Sequence, residues 1–244
     1  MGIQNPSCFN MALEAMMPET ISDIVGILKR RFSPALIIIG ISPIDFAGDD
    51  YITRNFGNSP WFLYQAGINS PEGWLIENSQ SYKYWLAFKK YRSPEYRSDI
   101  KNQSMLIDTY GFQIRETDNK IFQVQQSVKF PDFSLAKNDF AAFKDLMSDP
   151  AQKARIIVIE MPVHPEFLPY YVPGGEKGYE DLFIHPIQMV LDKESIPFIR
   201  TQSQIMNIVT PDGWIDNAHL NEKGAEQFSS WLAYKLGNYS GNPE

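Results

Sequence analysis

The chain has 244 residues, 43% hydrophobic and 14% aromatic, and carries a net charge of -7. That length supports one substantial core, so a single domain over 1–244 is expected, and the composition is globular, not disordered. The acidic balance excludes a nucleic-acid footprint, and a lone cysteine, Cys8, excludes an internal disulfide and a cysteine zinc cage.

Three scattered histidines offer no metal cluster, and neither metal nor other cofactor is expected. Basic clusters such as Lys29-Arg30-Arg31 are short and flanked by apolar residues, and read as a helix end meeting its dipole. No segment approaches the ~20 apolar residues of a membrane span, and the first residues lack a charged-then-apolar leader plan. As written, the chain reads as cytoplasmic.

Taken in order, the elements begin with a weak strand candidate, Ser7-Cys8-Phe9-Asn10-Met11-Ala12-Leu13. A helix follows over 18–32, with Ile21, Ile24, Val25, Leu28 and Phe32 as its buried stripe and Thr20 with Asp23 as a capping-box pattern. Three short β-branched runs read as buried strands: 35–39, 155–160 and 196–199. Each is closely preceded by a helical pattern, the later two by helices over 139–154 (disturbed by Pro150) and 178–194 (interrupted by Pro186). Helix and strand in alternation predict an α/β three-layer sandwich, a mostly parallel sheet flanked by helices.

The segment 49–132 breaks this rhythm and reads as a large insertion. It holds an aromatic-rich helical pattern over 74–91 and a hairpin pattern in which Phe112 and Ile114 face Ile121, Phe122 and Val124. In open α/β sheets ligands bind beyond the carboxyl ends of the strands, so an insertion there is a candidate lid or pocket wall. Its aromatics can stack on a sugar or acyl chain, or form the insertion's own core.

Chemistry concentrates in Asp216-Asn217-Ala218-His219, between the loop Pro211-Asp212-Gly213-Trp214 and a helix. Asn221 is placed as N-cap, Phe228, Trp231, Leu232, Lys235 and Leu236 form one helical face, and Gly237 marks a stop. A carboxylate three residues before an imidazole can accept the Nδ1 proton and leave Nε2 free to take a proton from a nucleophile. The plainer alternative is a helix cap beside a surface histidine.

This arrangement resembles the last block of the SGNH (GDSL-type) hydrolases, where such a pair serves a serine supplied near the N-terminus. The resemblance implies an α/β sandwich of SGNH or flavodoxin-like type, Asp216 as orienter and His219 as general base. It also implies an oxyanion hole built from a glycine block and a Gly-x-Asn block. Two alignments satisfy that order. In one, Gly40-Ile41-Ser42 is the nucleophile turn and Gly67 supplies the second block. In the other, Asn10 ends the second-block strand, Ala15 falls where a glycine amide is expected, and Gly40-Ile41-Ser42 fills the Gly-x-Asn slot with Ser42 as oxyanion donor. The second alignment explains more residues. It places the nucleophile strand upstream of Asn10, in an N-terminal block ahead of Met1, and with it a possible envelope association.

His164, between Pro162 and Pro165 after the strand 155–160, falls where this fold places another active-site loop and is a candidate contact for a substrate hydroxyl. His185 reads as structural, and Glu160 as either a pocket wall or a buried hydrogen-bond acceptor. The resemblance implies an esterase or O-acyl transferase for small or carbohydrate esters; the other reading is an inactive relative that binds a glycan or scaffolds an assembly.

Overall fold

The computed structural model describes residues 17–32, 34–47, 60–65, 67, 69–92, 106–107, 113–114, 126–149 and 156–239. The chain divides into two compact units, one of 1–16 and 50–116, the other Met17–Asp49 with Thr117–Glu244. The described strands are β1 (Ile37–Ile41), β2 (Leu106–Ile107), β3 (Gln113–Ile114), β4 (Ile156–Glu160) and β5 (Phe198–Ile199).

In the larger unit β1, β4 and β5 form a parallel sheet in that spatial order. Ile37 pairs with Ile156 and Ile41 with Glu160, while Val158 and Ile159 pair with Phe198 and Ile199. The three β-branched runs are thus present as strands, with β1 shifted two residues toward the C-terminus of the 35–39 run, while the weak strand candidate over 7–13 lies outside the described residues. Every residue of β4 is buried, as a strand covered on both faces requires. Ile157, Ile159 and Ile199 pack with Ile205, Val209, Trp214 and Phe228, and Trp231, Leu232 and Leu236 close over them. The helix Glu222–Tyr239 therefore covers that face, and it runs through Gly237 instead of stopping there.

A separate aromatic cluster follows β1. Phe46, just after β1, meets Phe143 of the helix Lys137–Ser148 edge-on at 5.5 Å and Phe183 at 5.8 Å. The helix Pro18–Phe32 packs beside Lys137–Ser148. Its start follows from Pro18, whose fixed φ suits the first helical position; Thr20 lies inside that first turn and is buried, not at the cap. The second expected helix ends at Ser148, short of Pro150, which cannot donate to the ladder.

The third expected helix is not broken by Pro186. It runs from Gly175 to Lys193 with a single π-turn over Glu180–Ile184, where the His185 amide donates to the Glu180 carbonyl five residues back. The wider turn takes up one extra residue where Pro186 would otherwise collide with the carbonyl four residues earlier.

On β1 burial alternates: Ile37, Ile39 and Ile41 face inward, whereas Ile38 is 43% exposed.

In the smaller unit, the single helix expected over 74–91 is two, Pro71–Asn78 and Gln80–Arg92. Ser79 separates them in an extended conformation and caps the second by accepting the Tyr82 amide. Trp74, Tyr84, Trp85 and Phe88 are all at least half exposed, so they do not form this unit's core. Ile114 pairs antiparallel with Leu106; the expected partners 121–124 lie outside the described residues.

One close approach ties the C-terminal helix to the loop before it. A Cβ on Gly224 would sit 2.0 Å from the Gly213 carbonyl oxygen, whereas one on Gly237 would meet nothing within 4 Å. Gly224→Ala is expected to destabilise the protein by roughly 1–3 kcal/mol in urea unfolding, and Gly237→Ala to be neutral or stabilising by up to about 1 kcal/mol.

Candidate functional site

The sheet is parallel, so the segments after β1, β4 and β5 leave from one edge, and these carry most of the candidate residues. The Asp216–His219 loop is held at both ends. Trp214, buried in the core, forms an antiparallel bridge with Leu220, and the Ile215 amide donates to the His219 carbonyl at 2.8 Å. Asn221 caps the following helix by accepting the Gly224 amide at 3.0 Å and donates from Nδ2 to the Asp212 carbonyl. Lys223 closes the same corner on the Asp212 carboxylate at 2.7 and 2.9 Å.

Within this loop the expected pair is formed. His219 Nδ1 lies 2.9 and 2.8 Å from the two Asp216 carboxylate oxygens, and Oδ1 also accepts the amides of Ala218 and His219, each at 2.9 Å. Partial burial pushes the Asp216 carboxyl up, but the Ala218 amide and the His219 ring outweigh it and hold it below the usual carboxylate range. An ionised Asp216 makes Nδ1 the protonated nitrogen and presents Nε2 as the lone-pair face. The His219 side chain is 63% exposed, and its Nε2 has no hydrogen-bond partner among the described residues.

His164 belongs to the same loop cluster. Its amide donates to the Asn217 carbonyl at 2.8 Å, and its ring meets Trp214 edge-on at 5.3 Å. Burial lowers its pKa, with Glu166 opposing, so the ring stays neutral more readily than a free imidazole. His185 is exposed on its helix and lies 3.4 Å from Asp181, one turn away.

Ser42 is elsewhere engaged. It opens the short 3-10 turn Pro43–Phe46, and both its amide and its hydroxyl donate to Asp45 Oδ2, at 2.6 and 3.0 Å. No hydrogen bond joins Ser42 to His219 among the described residues. Burial drives the Asp45 carboxyl up to about 7, against the two Ser42 bonds and with the charge of Asp139 adding to the rise. The Tyr171 phenol beside this group is pushed up too, by burial first and then by the Asp45 charge. Gly40 is exposed, and a Cβ there would press on the flexible Met161 side chain. Asn10 and Ala15 lie outside the described residues, and Gly67 belongs to the smaller unit, where it follows the helix Pro60–Gln65 with positive φ.

Sequence reading left the best-determined group at this edge undecided. Glu160, at the end of β4, is fully buried and accepts from the Tyr179 hydroxyl at 2.9 Å, Arg200 Nε at 3.2 Å, the Thr201 amide at 2.7 Å and the Gln202 amide at 2.9 Å. Arg200 also reaches Glu180 at 2.5 Å. The usable signal was a carboxylate ending one apolar run and a guanidinium ending the next. Among the described residues, no group of three or more His, Cys, Asp and Glu side chains is placed to hold a metal ion, and no helix is long and apolar enough to cross a membrane.

No family model, curated protein or solved structure matches this chain.

The raised Asp45 carboxyl gives a pH dependence of defined sign. Between roughly pH 4 and about 7 it is protonated in the folded chain and ionised in the unfolded one, so folding takes up a proton. Its contribution to stability therefore falls as pH rises through that window. In thermal melts across this range, Asp45→Asn should remove part of the downward slope.

Proposed function

We propose that the protein is a serine-dependent ester hydrolase or O-acyl transferase of SGNH type, acting on small or carbohydrate esters. The observation that carries this reading is the Asp216–His219 pair, with Nδ1 held by a carboxylate and Nε2 open to an incoming group. In the reaction, a serine oxygen attacks the ester carbonyl while its proton passes to Nε2. Asp216 stabilises the imidazolium that forms, and the imidazolium returns the proton to the leaving alcohol. Water, or an acceptor hydroxyl in the transferase case, then releases the acyl group by the same proton path. No cofactor enters this scheme.

Ser42 serves in this scheme either as oxyanion donor or as the nucleophile itself. Either requires its hydroxyl to leave Asp45 and turn toward the substrate. The sugar-bearing class is suggested by the aromatic surface of the smaller unit, where Trp74 and Tyr84 are exposed, while Trp85 and Phe88 already carry Lys89 and Arg92 over their rings.

The Asp45-bound state of Ser42 favours a second reading, an inactive SGNH-like protein that binds a glycan or scaffolds an assembly. Phosphonofluoridate labelling of the folded chain, read by mass spectrometry, separates the two. Modified Ser42 supports the nucleophile role; an unlabelled chain that hydrolyses no ester supports the binding protein. Where ester turnover is observed, His219→Ala should lower it by orders of magnitude in kcat, and an unchanged rate would remove His219 from the mechanism.

A further inference from the structure

The loops after β4 and β5 leave the carboxyl edge of the sheet, and a continuous set of hydrogen bonds links them to each other and to the Asp216–His219 turn. It begins at Glu160, whose Oε2 accepts the Thr201 and Gln202 amides at 2.7 and 2.9 Å, while its own carbonyl accepts the Thr201 hydroxyl at 2.7 Å. The loop after β5 is thereby fastened to the end of β4. Gln202, itself buried, turns back on the loop after β4: its Oε1 accepts the Val163 amide and its Nε2 donates to the Val163 carbonyl, both at 3.0 Å. One side-chain amide thus satisfies both backbone groups of a buried residue, as a neighbouring strand would. The next residue, His164, donates its amide to the Asn217 carbonyl at 2.8 Å. Asn217 stands between Asp216 and Ala218, inside the turn that Asp216 closes on the amides of Ala218 and His219.

We propose that Glu160 and Gln202 are positioning residues for the Asp216–His219 pair, acting through Val163, His164 and Asn217. Neither touches the imidazole. Their effect is to fix where the Asn217 carbonyl stands, and with it the turn that brings both Asp216 oxygens to Nδ1. The Trp214–Leu220 bridge and the Asn221 cap hold the neck of that turn and the Asp216 carboxylate bonds its own tip amides, to which the linkage adds the His164 amide on the Asn217 carbonyl. A purely local turn would need no buried glutamine two loops away. The catalytic weight of the linkage rests on the function proposed above, but its physical existence does not.

The test reads the ring directly. Long-range proton–nitrogen correlations of the His219 imidazole, under mildly alkaline conditions, should show distinct signals for a protonated Nδ1 and an unprotonated Nε2 in the native chain. In Gln202→Ala, and in Gln202→Glu, which keeps the acceptor but faces the Val163 carbonyl with a carboxylate, the two signals should move toward a common average. Leu191→Ala, a core truncation in the helix His185–Lys193, should lower the melting temperature and leave them apart. Folded Gln202 variants with the native separation would overturn the proposal. Hydrogen exchange on the unsubstituted chain supplies a second arm: the amides of Val163, His164, Thr201 and Gln202 should be protected together with those of Ala218 and His219. A His164 amide exchanging at the free rate would also refute the linkage. If the chain proves to be an esterase, Gln202→Ala should lower kcat roughly ten- to a hundredfold with KM little changed. A chain without ester turnover would end the enzymatic reading while leaving the ring and exchange results to judge the linkage.

Discussion

The carboxyl edge of the sheet is organised by a charge with no access to water. A carboxylate enclosed in a protein interior is tolerated only where several donors replace its hydration. Glu160 has four, one of them a guanidinium that bridges to Glu180. Because two of those donors are consecutive backbone amides, satisfying the charge also dictates the path of the chain after β5. Removing the side chain would leave the Tyr179 hydroxyl and two amides without their acceptor in a dry region, and Arg200 with Glu180 alone. The arrangement therefore acts through its all-or-none character more than through net stabilisation.

Local pattern revealed the framework of the larger unit because its determinants are local. Runs such as 156–160 can only be buried strands when every residue is apolar up to a terminal acid, and the stripe Phe228, Trp231, Leu232 and Leu236 states which side of its helix faces inward. The Asp216–His219 contact was equally legible, since three residues of turn suffice to bring the groups together. What escaped was long-range. Gln202 meets Val163 across 39 residues and Glu160 across 42, and nothing near Gln202 in the chain marks it as more than a polar loop residue. Ser79 escaped for the opposite reason: a serine inside an aromatic helical pattern reads as a tolerated residue until its own side chain is seen to start a new helix.

The state of Ser42 sharpens the functional question. Its hydroxyl is committed to a carboxyl whose burial favours the neutral form, and a neutral Asp45 accepts less strongly than an ionised one. Protonation of Asp45 would thus loosen the hold on Ser42 without disturbing the Asp216–His219 turn, which lies in a different loop. Burial sets how easily that happens, with the two Ser42 bonds opposing it and the Asp139 charge adding to it.

The single π-turn in the helix 175–193 fixes an angular register. Each α-helical residue advances the side chains by about 100 degrees, so one residue more or less swings everything upstream to another side. With the extra residue in place, Tyr179 and Glu180 reach Glu160 and Arg200 while Ile187 and Leu191 still face the core. Deleting one residue from 180–184 would yield a more regular helix whose N-terminal half had rotated away from the buried acid. The irregularity is what lets one rod serve the hydrophobic interior at one end and an enclosed charge at the other.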